Sequence, residues 1–196
     1  MNAYVRQLLT ALRFLICATI VLGLAYPVLI FGIGQVVAPA NANGSIVKIN
    51  GQAVGSSLLA QPVTGDKFFY PRPSVVDWNP DTSSASNLGP NQPALVTAEA
   101  QNRAAVAKRE DVAPSAVPID AVTASGSGLD PDISQAYAAL QVPRVARANG
   151  ISEAKVRALV VANTNSAFEG FLGQPSVNTT TLNQALAQLH QPALQQ

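Results

Sequence analysis

The stretch FLICATIVLGLAYPVLIFGIGQVV, residues 14–37, decides the architecture because its 24 residues carry no charge. As an α-helix it reaches about 36 Å at roughly 1.5 Å per residue, and the hydrocarbon core of a bilayer is about 30 Å thick. A buried helix of a soluble protein is the less favoured interpretation, since core helices of this length usually carry a charge. The stretch therefore predicts a transmembrane helix over residues 14–37.

A cleaved signal peptide is the sharper alternative for this segment. Arg6 and Arg13 supply a basic leading region, and APA (38–40) or ANA (40–42) resembles a cleavage site. The apolar run, however, greatly exceeds the roughly 7–15 residues of a signal core. Its length favours a retained membrane anchor surrounded by lipid.

Basic residues predict the orientation of this anchor. Arg6 and Arg13 precede the span, and no basic residue lies in the ten residues after it. Because positive charge stays on the cytoplasmic side, residues 1–13 are expected in the cytoplasm. Residues 38–44 then form a linker, and residues 45–196 form one extracytoplasmic, periplasmic domain.

Small residues predict a packing face on the span. Thr19, Gly23 and Gly34 are expected on one side of the helix, with Pro27 nearby to bend it. Small side chains let a neighbouring helix approach closely, which is typical of a subunit of a membrane complex. The alternative is that glycine is simply common in membrane helices.

Composition excludes several classes of protein. Only 12% of the 196 residues are charged, against about 25% in an average globular chain. The net charge of +1 provides no basic stripe for nucleic acid. A single cysteine excludes a disulfide framework and a cysteine-built zinc site.

The outer domain is predicted to be α+β, with N-terminal strands and C-terminal helices. Residues 45–49 and 67–70 have strand composition, and residues 71–93 are rich in proline, serine and asparagine, which is typical of a loop. Helices are expected over residues 94–110 and from about Asn178 onward.

Between these two helices the sequence predicts two more. One is expected to begin at Asp130 and Pro131, an N-cap followed by proline at the first helical position. Pro143 should break or kink that helix near Val142. Ser152 is expected to cap the second.

Catalytic machinery is not evident in the sequence. His190, the single histidine, is six residues from the C-terminus and is expected to be a solvated surface residue. Ser127 lacks the G-x-S-x-G frame of a nucleophile elbow. Asp120, Asp130 and Asp132 are not spaced as a calcium loop.

The small-residue loop SGSG, residues 125–128, allows two interpretations. Before a helix N-terminus, the N–H groups of Ser125, Gly126, Ser127 and Gly128 would cradle a nucleotide phosphate. Against this, no P-loop lysine follows, and Asp130 places negative charge where phosphate would sit. A tight structural turn is the favoured interpretation.

Six elements in order carry a resemblance to a known family. They are the N-terminal span, RPS (72–74), SNLGP (86–90), VTASGSGLDP (122–131), QVPRVA (141–146) and LGQPSVN (172–178). Over essentially its full length the chain resembles the C subunits of the Kdp potassium-transporting ATPase. TASGSGLDP is the most specific of these motifs.

This resemblance implies a function and a set of partners. It implies an accessory, non-catalytic subunit of a high-affinity, ATP-driven potassium importer in the bacterial inner membrane. The implied partners are a channel-like A subunit, an ATP-hydrolysing P-type B subunit and a small F subunit. The subunit itself has no cofactor, although the family is described as a catalytic chaperone that raises the ATP affinity of the B subunit.

Matching residues mark the contacts that the resemblance implies. Arg72, Ser125, Gly126, Ser127, Gly128, Asp130 and Pro131 keep the family's residue types and are candidates for subunit contact. Asp132 stands where many relatives carry histidine, and NTN (163–165) where HTE is common. A free-standing, membrane-tethered hydrolase or binding protein is the alternative function.

Overall fold

The computed structural model describes residues 2–166 and 173–189 and divides into two compact units, Met1–Ser45 and Ile46–Gln196. The first unit is helical. It contains α1 (Ala3–Ala18), a π-helical segment (Thr19–Ala25), α2 (Tyr26–Val37) and a short α3 (Pro39–Ala42).

The first three of these elements form one apolar helix, Ala3–Val37, of 35 residues. By length and composition it can cross a membrane, and its most apolar stretch is not buried within the protein. The predicted span is therefore confirmed as a helix, but the helix begins eleven residues earlier than expected. The expected linker at 38–44 is partly helical, since it contains α3.

The second unit opens with a hairpin of β1 (Ile46–Ile49) and β2 (Gln52–Ser56), paired antiparallel. Asn50 and Gly51 link the strands with φ of 53° and 78°, the left-handed pair that a two-residue hairpin turn requires. The first predicted strand is confirmed, whereas β2 was not expected.

A second sheet joins segments that are distant in the sequence. Its antiparallel strand order is β3 (Asp132–Ser134), β5 (Ser176–Asn178) and β4 (Thr164–Asn165). Four helices accompany it: α4 (Pro93–Glu110), α5 (Gln135–Asn149), α6 (Glu153–Ala162) and α7 (Thr179–Leu189). The fully buried core side chains include Phe69, Ile133, Tyr137, Val142, Val145, Val156, Val177, Leu182 and Leu186.

Three helix predictions are confirmed. α4 matches its predicted range within one residue at its start. Ser152 caps α6 by accepting a hydrogen bond from the backbone N–H of Lys155 at 3.3 Å. α7 follows Asn178, whose side-chain oxygen accepts from the N–H of Thr181 at 3.0 Å.

The predicted helix start at Asp130 and Pro131 is wrong, because this segment enters β3. The Pro131 carbonyl accepts from the N–H and the hydroxyl of Thr179, at 2.9 and 2.7 Å, which ties it to the end of β5. α5 begins at Gln135, directly after β3, with Ser134 as its N-cap. Asp120 holds this cap by accepting from the Ser134 N–H at 2.7 Å.

Of the break or kink predicted at Pro143, the break is wrong, since α5 continues through it to Asn149, and the kink stays a prediction. A proline inside a helix costs about 3 kcal/mol or more. Val142 and Val145, on either side, are 1% and 0% exposed, and burying such a side chain contributes about 1.5–3 kcal/mol. Core packing therefore keeps the helix continuous.

Residues 67–70 do not form the predicted strand, because side chains take the place of a partner strand. Asn183 bonds both backbone groups of Phe69, at 2.8 and 2.9 Å. Gln141 does the same for Tyr70, at 2.7 and 3.1 Å. The backbone is satisfied without a sheet.

Candidate functional site

The predicted site residues 125–128 and Asp130 lie in a segment that we name the loop, residues 123–131. The loop is held by a second segment that we name the strap, residues 70–78. Ser74 Oγ donates to the Gly128 carbonyl at 2.7 Å and accepts from the N–H groups of Val76 and Trp78 at 3.1 and 3.0 Å. The Ser125 N–H donates to the Pro73 carbonyl at 3.0 Å. Two motifs of the sequence therefore form one structural unit.

Arg72 lies across the same loop. Its Nη1 is 3.4 Å from Asp130 Oδ2, and its Nη2 approaches the carbonyls of Thr123 and Ala124 at 3.5 and 3.3 Å. The two charged side chains are 26% and 35% exposed, and partly exposed pairs contribute about 0–1 kcal/mol. Arg72 positions the loop more than it stabilises it.

Gly128 lies close against the strap. Its φ is 71°, and a Cβ built on it would lie 2.5 Å from Val76 Cγ2, 3.0 Å from the Ser84 carbonyl oxygen and 3.2 Å from Ser74 Oγ. Only glycine fits such a position without displacing its neighbours. Gly126, by contrast, has open space around its Cβ position.

The tip of the loop is exposed and braced from the proline-rich segment. Gly126 and Ser127 are exposed, whereas Ser125 is buried. The Ser127 carbonyl accepts from the Ser84 N–H and the Ser83 hydroxyl, both at 3.0 Å. The loop therefore presents a small, fixed, polar tip to the surroundings.

The N–H groups of Ser125 and Gly128, two of the four donors in the alternative phosphate-cradle interpretation, are engaged within the protein. Gly128 N–H donates to the Ser125 carbonyl at 3.3 Å, and Leu129 N–H to Ser127 Oγ at 3.1 Å. Asp132 N–H donates to Asp130 Oδ1 at 2.9 Å. With a strand following the loop, the helix dipole that would attract an anion is also absent from this position.

Asp132 adds an unfavourable charge beside the loop. Burial raises the pKa of its carboxyl and the charge of Asp130 raises it further, against a hydrogen bond from Ser176 that lowers it. Among the described residues, three buried polar atoms lack a partner: Arg72 Nε, Ser125 Oγ and Asp132 Oδ1. All three atoms belong to the loop, the strap or the strand that follows the loop. Buried polar atoms in native proteins usually have a hydrogen-bond partner.

A buried ionic cluster lies beside the strap, and sequence reasoning missed it. Glu110, whose side chain is fully buried, accepts from Arg144 Nε at 2.9 Å and from Arg109 Nε at 2.8 Å. Arg144 also donates to the carbonyls of Asp66 and Phe68, at 2.6 and 3.0 Å. The signal was the QVPRVA motif, which contains Arg144 and the strap-binding Gln141.

Arg109 joins this cluster to two tyrosines. Its guanidinium carbon is 3.9 Å from the centre of the Tyr70 ring, and its Nη2 donates to the Tyr137 hydroxyl at 2.9 Å. Burial lowers the pKa of Arg109, but Tyr137 and Glu110 outweigh it and leave the pKa raised. Burial has the opposite effect on Tyr137 and raises the pKa of its phenol. At neutral pH Arg109 is therefore a cation and Tyr137 a neutral phenol.

The other predicted site residues lie in the helical unit. A Cβ on Gly23 would lie 3.8 Å from Thr19 Cγ2, so these two residues adjoin on the π-helical segment. Gly34 instead lies against α3, with Ala42 Cβ 3.5 Å from its Cβ position. Their role in helix packing stays a prediction.

Metal and histidine chemistry finds no support in the part of the chain that the structure describes. Within residues 2–166 and 173–189, no three His, Cys, Asp or Glu side chains are grouped so as to hold a metal ion. Cys17 is exposed on the apolar helix. His190 and Leu172 lie outside the described residues.

Known proteins match this chain along nearly its whole length. The family described as "KdpC: K+-transporting ATPase, c chain" matches residues 8–188. A "Potassium-transporting ATPase KdpC subunit" of Kineococcus radiotolerans is 49% identical over 183 residues, which are 92% of this chain and 93% of that protein. Proteins of the same name are 47% identical in Cereibacter sphaeroides (90% and 94% covered) and 43% in Mycobacterium tuberculosis (94% and 99% covered).

Proposed function

Since the chain belongs to the KdpC family of K+-transporting ATPase c chains, we propose that it is an accessory, non-catalytic subunit of a high-affinity, ATP-driven potassium importer. Its partners in this proposal are the channel-like A subunit, the ATP-hydrolysing B subunit and the small F subunit. Its place is the bacterial inner membrane.

The observation that carries the proposal is the unburied helix Ala3–Val37. The most apolar stretch of this helix is not buried within the protein, so in water it would expose a continuous apolar surface. Such a helix is stable in lipid or against other membrane helices. Arg6 and Arg13 near its start support a cytoplasmic N-terminus, and the proposal includes residues 45–196 as a periplasmic domain.

The loop 123–131 is proposed as a contact to another subunit rather than to nucleotide. The backbone N–H groups of Ser125, Gly128 and Leu129 are engaged within the protein. Asp130 and Asp132 repel phosphate. A periplasmic loop is also separated from cytoplasmic ATP. The braced tip at Gly126 and Ser127 suits a rigid protein contact that stabilises the assembly or caps the potassium entrance.

Deletion and complementation test the role in transport. Removing the protein should abolish growth on micromolar potassium, and the full chain should restore it. Ser127→Trp enlarges the exposed tip and is expected to reduce this growth, whereas Ala100→Trp, on an exposed face of α4, should not. Normal growth of the deletion strain would refute the role.

Pull-down in mild detergent separates the proposal from a free-standing hydrolase or binding protein. An accessory subunit retains the ATPase subunits on an affinity tag, and a free-standing protein does not. Orientation is tested with C-terminal fusions. A reporter active only in the periplasm should work, and activity of a cytoplasm-only reporter would refute the topology.

A further inference from the structure

A small aromatic pocket lies between the strap and α4, within the second unit. Its volume is about 200 Å³. Aromatic and charged side chains form much of its wall, which includes Tyr70, Trp78, Asn102, Ala105, Arg109 and Tyr137. Pockets for small-molecule ligands usually measure about 300–1,000 Å³, so this one is the size of a single side chain.

The pocket carries positive charge that nothing in the described cluster balances. Two guanidinium groups, Arg109 and Arg144, share the single carboxylate of Glu110. The side chains of Arg144 and Glu110 are 4% and 0% exposed, whereas that of Arg109 is 23% exposed. The excess charge therefore reaches solvent through Arg109. Its Nε and Nη2 bind Glu110 and Tyr137, and the described hydrogen bonds leave Nη1 available.

The indole of Trp78 is fixed beside this charge. Asp77 and Trp78 have φ of 52° and 55°, a region that bulky residues rarely adopt. Ser74 Oγ holds the Trp78 N–H at 3.0 Å, and the indole Nε1 donates to the Arg72 carbonyl at 3.2 Å. The ring is thus set in place before any partner binds.

We propose that the aromatic pocket receives an aspartate or glutamate side chain of another subunit of the ATPase, with its carboxylate on Arg109 and its methylene groups against Tyr70 and Trp78. Tryptophan, tyrosine and arginine are the residues enriched at the energetic centres of protein interfaces. Charge complementarity selects the acidic partner. This inference rests on the proposed function, because it takes the partner from the same complex.

A matched pair of variants tests the pocket without touching the buried cluster. Ala105→Phe fills the mouth of the pocket from the exposed face of α4, and Ala104→Phe makes the same change at an exposed neighbour that does not line it. In the full chain, Ala105→Phe should weaken co-purification of the other subunits at least tenfold and Ala104→Phe should leave it unchanged. Equal behaviour of the two variants would overturn the pocket as a contact.

Arg109→Gln tests the charge, with Arg109→Lys as the variant that retains it. Arg109→Gln should weaken assembly about tenfold, with Arg109→Lys intermediate. Glu110 keeps Arg144 as a partner in both variants. If the unfolding midpoint shows that Arg109→Gln is misfolded, the comparison of Ala105→Phe with Ala104→Phe decides.

Trp78, the single tryptophan of the chain, reports occupancy directly. The full chain labelled with 5-fluorotryptophan gives one fluorine signal, which should shift with the blocked peptide acetyl-Gly-Glu-Gly-amide. It should not shift with acetyl-Gly-Gln-Gly-amide, nor with the acidic peptide in Ala105→Phe. Equal shifts of the fluorine signal with both peptides, or no shift with either, would overturn the proposal that the pocket binds a carboxylate.

The two proposals fail in different ways. If the wild-type chain does not retain the ATPase subunits, the proposed function fails, while the peptide titration still decides whether the pocket binds a carboxylate. If the wild type retains them and Ala105→Phe and Arg109→Gln do so equally, the pocket proposal alone is overturned.

Discussion

Replacing Gly128 by alanine should destabilise the domain more than a single methyl group usually does. At a φ of 71° a residue with a Cβ costs about 1–2 kcal/mol. The new Cβ would also meet Val76 Cγ2 at 2.5 Å and the Ser84 carbonyl oxygen at 3.0 Å, and overpacking of this kind costs about 1–3 kcal/mol. We therefore expect a loss of about 2–5 kcal/mol in the free energy of unfolding.

Gly126→Ala is the matched control, two residues away in the same loop. Nothing lies within 4 Å of its Cβ position and its φ is not in the left-handed region. Its effect should stay within about 0.5 kcal/mol, as for most exposed substitutions. Both variants replace glycine by alanine, and the two positions differ in backbone φ and in the room around the new Cβ.

The assay is thermal unfolding of the full chain in detergent, followed by Trp78 fluorescence. For a domain of this size each kcal/mol shifts the midpoint by about 2–4 °C, so Gly128→Ala should lower it by about 4–20 °C. Gly126→Ala should leave it within about 2 °C. Equal midpoints for the two variants would refute the close approach of loop and strap.

Three further predictions concern charge and hydrogen bonding. Arg144→Met removes one of the two guanidinium partners of the buried Glu110 carboxylate, which keeps Arg109, and should cost about 1.5–3 kcal/mol, the contribution of a hydrogen bond to a charged group. Arg157→Met, in an exposed pair, should change stability by about 0.5 kcal/mol or less, and urea unfolding of both variants checks this. Ser74→Ala removes three hydrogen bonds, should cost about 1–3 kcal/mol and should shift Trp78 emission to the red. Asp132→Asn should raise the unfolding midpoint at pH 7, because a carboxyl whose pKa is raised on folding stabilises the fold only while protonated. That gain should shrink as the pH falls through the raised pKa and vanish below the ordinary value, and a gain independent of pH would contradict the assignment.

Sequence periodicity predicted the elements whose stability is local. The apolar run of the membrane helix, the alanine-rich α4 and the Ser152 cap need only neighbouring residues to be recognised. β3 and β5 have three residues each and pair across more than 40 positions, so no local pattern marks them. The Asp130 signal for a helix start was overridden by the bonds from Thr179 to Pro131.

The candidate site was predicted in its residues but not in its geometry. The strap and the loop were both recognised as motifs, yet their contact through Ser74 joins positions 54 residues apart. The ionic cluster was missed because Glu110 ends α4 and reads as a solvated charge. Burial of a charge is a property of the assembled core, and sequence spacing does not reveal it.

The ties between the first and last parts of the domain have a consequence for its biosynthesis. Asn178 and Thr180 donate to the carbonyls of Ser57 and Leu59, each 121 residues earlier. At roughly 5–20 residues per second, that interval takes about 6–24 s to synthesise. Throughout it the carbonyls of Ser57 and Leu59 lack these two partners. In the topology proposed above, these two bonds form only after Asn178 and Thr180 have crossed the membrane.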